Sequence, residues 1–490
     1  MASTRRALVE VFVSKYLTLT VQFFSVVIIA RLLTPEEIGI FSLGAAFVSL
    51  AHLLRDFGSA QYVVQEVELT TERLRAALAV TLGLGWAVAL VIYLGAPYVA
   101  AFYGNEATES VLRLLSFNFF LLPFSTVTYA YLRREMNFFP SAVSGVSSAV
   151  VEAIVAVVLA FAGFSFMSLA WGAVAGTATT ILIGVFYRPR EVPWLPGIKE
   201  LGRVFAFGGR VGFINVITEV ARLLPEFVLG KAHGFSEVGM YSRAYGVVRL
   251  FRRLVLGGLS AVLGAKFAMI RRDNEDLHQA YLHVMGCISC LACLFYLNLF
   301  ILAEPFVFIL YGDQWGEAID LIRPWALVSV IGSFTMLAER LLTNVGEVRR
   351  VVRMTLITQP IRIVVVGAAC IKGLEWIALG LAIMAVIRVV VYYPHLRSVF
   401  AVTMRELGIM IGHALAPCIV SAAASWLVMT WAEPSLGMEM AFVLASCAGL
   451  LVWVPVVYLV KHPIQQHISE ALDWARERIG LGRSGGSEGS

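Results

Sequence analysis

The sequence predicts an all-α polytopic membrane protein with about fourteen transmembrane helices. These form two six-helix lobes, related by a pseudo-twofold along the membrane normal, plus a C-terminal helix pair. Three observations predict this: a composition too apolar for a soluble core, repeated apolar runs of membrane-spanning length, and basic residues that alternate between connections.

Of the 490 residues, 59% are apolar and 14% charged, against roughly 25% charged in ordinary soluble domains. A mean hydropathy of +0.81 over this length cannot be hidden in one soluble core, so lipid must solvate much of the surface. The net charge of +5 says little until its placement is known. Arg5 and Arg6 precede an apolar run from about Val11 to Ala30. That run is too long for a signal-peptide core and has no small-residue cleavage site behind it, so it reads as a retained first span. All six cysteines fall in apolar segments, so no disulfide framework is implied. Cys287, Cys290 and Cys293 resemble part of an iron–sulfur signature but lack its fourth ligand and Pro. They read as small packing residues, and no metal is expected.

Runs of about 20 mostly apolar residues can span a bilayer. They fall near 8–30, 38–62, 76–102, 110–132, 141–163, 166–187, 205–230, 238–265, 280–310, 319–343, 351–371, 375–394, 407–431 and 438–460. With the N-terminus inside, clusters such as Arg5–Arg6, Arg73 with Arg75, Arg133–Arg134, Arg271–Arg272 and Arg349–Arg350 all fall in inner connections. Outer connections hold one basic residue or none. This is the positive-inside pattern, and it implies an even number of spans with both termini cytoplasmic.

An internal repeat stands at an offset of 200 residues. R-L-L-T-P-E-E-I-G-I-F-S (31–42) lies over K-A-H-G-F-S-E-V-G-M-Y-S (231–242), with Glu37, Gly39, Ser42, Leu54 and Gly58 matching Glu237, Gly239, Ser242, Leu254 and Gly258. A weaker echo pairs Tyr103-Gly104-Asn105 with Tyr311-Gly312-Asp313. Six spans separate the copies, so the halves point the same way, as in parallel-repeat alternating-access transporters. The expected organisation is an N-terminal lobe over 1–190, a C-terminal lobe over 191–400, an accessory span pair over 401–462, and a cytoplasmic tail over 463–490. After Pro463, Ile464, Ile468, Leu472, Ala475 and Ile479 recur at helical spacing, which suggests an interfacial helix. The closing R-S-G-G-S-E-G-S is expected to be disordered. No P-loop, H-E-x-x-H or G-x-S-x-G occurs, which disfavours an ATPase or a classical enzyme.

Ionisable groups inside a membrane are costly and usually face a protein interior or a wet cavity. Here they concentrate on the first two spans of each repeat. One face of span one carries Lys15, Thr18, Gln22 and Ser25, and one face of span two carries Ser49, His52, Arg55, Asp56 and Ser59. Spans seven and eight carry Glu219, Arg222 and Glu226, then Ser242, Tyr245, Arg249, Arg252 and Arg253. The cations Lys15, Arg55, Arg222, Arg249, Arg252 and Arg253 outnumber the acids Asp56, Glu219 and Glu226. Two readings compete: paired charges bracing the bundle, or a shared cavity with a cationic excess. The excess favours the cavity, because unpaired Arg in a dry bundle is prohibitive. Arg suits phosphate bidentately. Glu152 is the most isolated acid outside these spans, either a proton carrier or a hydrogen-bonded structural group.

R-L-L-T-P-E-E-I-G-I-F-S-L (31–43) followed by L-R-D-F-G-S-A-Q-Y-V-V-Q (54–65) resembles the polysaccharide or O-antigen flippases of the multidrug/oligosaccharidyl-lipid/polysaccharide exporter superfamily. The likeness is closest to the lipopolysaccharide and colanic-acid exporter branch and is strongest over about residues 8–140. It implies two six-helix lobes whose first two helices line a central cavity. The implied substrate is a polyprenyl-diphosphate-linked oligosaccharide, moved from inner to outer leaflet of a bacterial inner membrane. No cofactor is expected apart from H+ or Na+ as a coupling ion. Membrane lipids, a polysaccharide polymerase and glycosyltransferases are the expected company, and no nucleic acid. The alternative is a cation-coupled multidrug exporter of the same superfamily, which would favour carboxylates in the cavity.

Overall fold

The computed structural model describes residues 2–56, 58–256, 263, 266–267, 269–270, 272–273 and 276–478. Side chains are described for all of these except 2–9, 56, 205–214, 256, 471–472 and 474–478. The regular structure among the described residues is helical, with no strand. In order the helices are α1 (Ala2–Leu32), α2 (Pro35–Asp56), α3 (Ser59–Gln65), α4 (Thr71–Tyr103), α5 (Glu106–Leu121) and α6 (Pro123–Arg134). Next come α7 (Phe139–Phe161), α8 (Met167–Phe186), α9 (Leu201–Ala232), α10 (Phe235–Val248) and α11 (Leu277–Tyr311), with a π-helical turn at Arg252–Leu256. Then follow α12 (Glu317–Ser333), α13 (Ala338–Asn344), α14 (Val348–Lys372), α15 (Leu374–Phe400), α16 (Met404–Leu436), α17 (Met438–Leu459) and α18 (Ile464–Arg478).

The chain is an all-α polytopic membrane protein. Eleven described helices are long and apolar enough to cross a membrane, or twelve if the bent pair α5–α6 is one span. The expected fourteen is not reached among the described residues. The expected span 205–230 includes 205–214, whose side chains are not described, and the expected span 238–265 runs into positions outside the description. The expected disordered end, 483–490, also lies outside it. The span expected at 110–132 is two helices bent by 49°. Pro123 causes this, since it has no N–H to donate to the Phe119 carbonyl four residues back.

The chain divides into two compact units, the first of Met1–Gly258, Val307–Leu321 and Val352–Met384. In the first unit, α2 starts on a capping box. The Glu37 N–H donates to Thr34 Oγ1 at 3.3 Å, and the Thr34 N–H donates to Glu37 Oε2 at 2.7 Å. Pro35 at the first helical position has no N–H to leave orphaned. The offset-200 repeat is built into this unit as direct contact. A Cβ on Gly39 would lie 1.7 Å from the Phe235 carbonyl oxygen, and one on Gly239 would lie 2.0 Å from that of Pro35. The Ser42 hydroxyl donates to Ser242 Oγ at 3.0 Å. Equivalent residues of the copies therefore meet each other, as they must on a twofold axis. The weaker echo is also structural: Gly104 (φ 72) and Gly312 (φ 94) each follow a helix ending in Tyr and take a positive φ, which glycine adopts without a Cβ clash. Gly172 and Gly176 seat α8 against Glu152 and Ala156 of α7, with Cβ positions 2.9–3.1 Å from the side chains opposite. This is the small-xxx-small contact common between membrane helices.

The second unit comprises Leu259–Phe306, Ile322–Val351 and Ala385–Ser490. Within it, Asn298, Ser421 and Ser425 hydrogen-bond one another. Ser425 Oγ donates to Asn298 Oδ1 at 2.6 Å, and Asn298 Nδ2 to Ser421 Oγ at 3.3 Å. Ser421 Oγ donates to the Gly449 carbonyl at 2.8 Å, which joins α11, α16 and α17 where no water competes. Cys290 and Cys293 are buried and sit against Cys418 and Ser333 respectively, as packing residues do. After Pro463, α18 buries Ile464, half-buries Ile468 and exposes Gln466, His467 and Glu470, whereas the side chains of Leu472 and Ala475 and the whole of Ile479, also expected on the apolar face, lie outside the described residues.

Candidate functional site

A cavity of about 380 Å³ opens within the first unit, walled by α1, α2, α7, α8, α9, α10 and the turn that follows. From α1 and α2 come the uncharged Gln22, Ser25, Ser42 and Ser49. From α9, α10 and the turn come Arg222, Glu226, Arg243 and Arg253, and α7 contributes Glu152. A second space of about 290 Å³ shares Phe41, Ala45, Ser49 and Glu152 with the first and continues past His52, Asn118 and Thr180. Helical spacing explains the convergence. Gln22 and Ser25 are three apart on α1, as Ser42, Ala45 and Ser49 recur on α2, and each set lies on one face.

Of the nine residues selected from the sequence, the cavity brings together Arg222, Glu226 and Arg253. Glu219 joins through Arg222, whose Nε donates to Glu219 Oε2 at 2.9 Å one turn away. Lys15, Arg55, Arg249 and Arg252 line neither space. Lys15 is half-buried on α1, and the buried Arg55 has its guanidinium 6.0 Å from the Phe119 ring centroid. Arg249 lies over the Tyr245 ring at 4.9 Å, and Tyr245 in turn stacks on Tyr241. The side chain of Asp56 lies outside the described residues. The cationic excess is thus smaller at this wall than the sequence implied: three guanidinium groups stand against Glu152 and Glu226, and Glu219 offsets one of them.

Two charged lining residues, Glu152 and Arg243, lie outside the nine. Glu152 stood apart in the sequence as a lone acid in a span, which was the signal for it. Arg243 was not singled out. It follows Ser242 directly, so it sits about 100° around α10 from the polar face used to choose the others. Its guanidinium lies 5.7 Å from the Trp315 ring centroid, and its buried Nε has no acceptor among the described residues. Trp315 is itself fixed, its Nε1 donating to the Ala30 carbonyl at 2.8 Å. A buried guanidinium N–H held by an aromatic plane and lacking an acceptor is suited to an anion entering the chamber.

These features define a class: a polytopic helical membrane protein built on a two-copy repeat, with a polar, arginine-bearing chamber beside the repeat contact. The chain belongs to the polysaccharide biosynthesis protein family, whose model matches residues 28–320. It is 29% identical to the succinoglycan biosynthesis transport protein ExoT of Rhizobium meliloti (strain 1021), over 64% of this chain and 64% of that protein. It is 23% identical to the lipopolysaccharide biosynthesis protein WzxC of Escherichia coli (strain K12), over 62% and 63% respectively. The match thus spans a little under two thirds of these relatives. The fold is that of the lipid II flippase MurJ in an inward closed conformation, with a TM-score of 0.75 over 94% of this chain and 99% of that one at 14% identity. An inward-facing multidrug resistance MATE family transporter of the MOP superfamily follows, with a TM-score of 0.63 over 79% and 98% at 16% identity. At these identities the two structures establish the fold alone.

Proposed function

We propose that this chain is a flippase that moves a polyprenyl-diphosphate-linked oligosaccharide, an exopolysaccharide or lipopolysaccharide repeat unit, from the inner to the outer leaflet by alternating access. The observation that carries the reading is the convergence of Arg222, Arg243 and Arg253 on one chamber of a chain in this family. Bringing a diphosphate into a low-dielectric interior is costly unless charged donors replace its water. The serine hydroxyls and Gln22 suit the sugar, which needs hydrogen bonds rather than charge. The names of the relatives, a succinoglycan transport protein and a lipopolysaccharide biosynthesis protein, agree with such a cargo. The lobes over 1–190 and 191–400 would rock about the Gly39–Gly239 contact while the lipid tail stays in the bilayer.

The reading places the chain in a bacterial inner membrane with both termini cytoplasmic, as the distribution of basic residues argues. It supplies translocation rather than covalent chemistry, beside the glycosyltransferases that make its cargo and the polymerase that consumes it. Glu152 and Glu226 are the groups that would bind H+ or Na+ if transport is ion-coupled. Those carboxylates also favour a second reading, a cation-coupled multidrug exporter. One experiment separates the two: flipping of a lipid-linked oligosaccharide in proteoliposomes by wild type, Arg222→Gln and Arg253→Gln. Each lost charged hydrogen bond is expected to cost about 1.5–3 kcal/mol, which is roughly tenfold to a hundredfold in rate. Wild-type flipping by both variants, or export of cationic dyes with no lipid flipping, would overturn the proposal.

A further inference from the structure

His283 and Cys287 stand one helical turn apart on α11, and His467 on α18 reaches them. The nearest ligand atoms of the three lie within 4.8 Å of one another. His283 Nε2 and His467 Nε2 are 3.1 Å apart. Two imidazole nitrogens on one tetrahedral zinc lie roughly 3.3 Å apart, given Zn–N bonds of about 2.0–2.1 Å. The rings meet at 73°, so they do not stack. Behind His467, Nδ1 lies 3.3 Å from Glu470 Oε2. A carboxylate on the far nitrogen is what sets the tautomer and orientation of a metal-bound histidine. The sulfur comes from Cys287, which is 8% exposed and so shielded from bulk oxidants.

The geometry points to a transition-metal site: we propose that His283, Cys287 and His467 bind one divalent ion, Zn2+ by preference, with water as fourth ligand. Two imidazoles and a thiolate in tetrahedral array suit zinc, and they exclude Mg2+ and Ca2+, which take oxygen ligands. The ion ties the tail helix to α11. That helix is kinked at Leu302, and the 25 residues before the kink run about 37 Å at 1.5 Å per residue, against a hydrocarbon core of about 30 Å. Gln466, His467 and Glu470 of the tail helix are polar and exposed, so an aqueous ion can reach the triad from that side. The site lies wholly in the second unit and is independent of the flippase reading.

The test is Co2+ titration of the detergent-purified full chain carrying no polyhistidine tag, followed by displacement with Zn2+. The expected result is one equivalent of Co2+ with a thiolate-to-cobalt charge-transfer band, lost in Cys287→Ser. His283→Gln and His467→Gln should each weaken binding more than tenfold, and Glu470→Gln by roughly tenfold to a hundredfold. His467 and Glu470 are exposed, so weakening there reports ligation and not unfolding. Zn2+ should also raise the thermal midpoint of wild type but not of His467→Gln. A chain that takes up no stoichiometric Co2+, keeps the band in Cys287→Ser, or binds unchanged in both histidine variants overturns the proposal.

Discussion

At positions 39 and 239 a methyl group would overlap a carbonyl oxygen of the opposite repeat copy, at 1.7 and 2.0 Å. No rotamer relieves a clash made by Cβ against backbone, so α2 and α10 would have to separate. Gly39→Ala and Gly239→Ala are each expected to lower stability by about 1–3 kcal/mol. Because both substitutions open the same contact, the double variant should lose less than the sum. Thermal unfolding of the three variants in one detergent measures this. The same repeat position also shows how local sequence decides a group's fate. Glu37 closes the cap begun by Thr34 and accepts from Ser165 as well. Glu237 faces Gly234 at the cap, which has no side chain to offer, and its buried Oε2 has no partner among the described residues. Burial, then the nearby Glu317 and Glu375, push the Glu237 carboxyl above its ordinary range, with His233 opposing. The folded state then holds this proton more tightly than the unfolded chain, so the group's contribution to stability falls as pH rises through and above 4.5. Glu237→Gln is expected to be more heat-stable than wild type at pH 7 and about equal to it at pH 4.

At the scale of helices, the contact of α8 on α7 positions Glu152 at the chamber. A Cβ on Gly176 would lie 3.1 Å from Glu152 Cβ and 3.3 Å from its Oε2. Gly176→Leu should displace that carboxylate and force the helices apart, cutting flipping at least tenfold at unchanged expression. Gly163→Ala tests instead the left-handed turn at the end of α7, away from the chamber, where φ is 85 and nothing crowds the Cβ. It should cost about 1 kcal/mol of stability and leave flipping intact. Helices were legible in the sequence wherever apolarity was continuous. The bend at Leu122–Pro123 and the break at Gly58 were not, because hydropathy runs through both while a missing N–H or a positive φ interrupts the hydrogen-bond ladder. The metal triad was illegible for another reason. His283 and Cys287 carry helical spacing, yet their partner His467 lies 184 residues on, and no local motif announces it.

For the molecule as a whole, the repeat and the polytopic class could be read from residues alone. Glu37, Gly39 and Ser42 lie in or near a connection, where chance apolar similarity has little force, and Gly39 and Ser42 touch their own copies. The chamber was legible only in part. Polar stripes fell on four of the six helices that wall it, and of the residues they singled out Arg222, Glu226 and Arg253 line the chamber. They could not show that Arg55 turns to Phe119 or that Arg249 covers Tyr245. Side-chain direction depends on packing that periodicity does not encode, which is also why Arg243 was overlooked. The account's central claim is that this chamber accepts a diphosphate rather than a cation. Calorimetric titration of the purified protein with a short polyprenyl diphosphate tests it most directly, run on wild type, Arg243→Gln and Arg253→Gln with a cationic dye as comparator. The account expects saturable diphosphate binding that weakens at least tenfold in each variant and is not displaced by the dye. Dye binding without diphosphate binding, or diphosphate binding untouched by both substitutions, would contradict it.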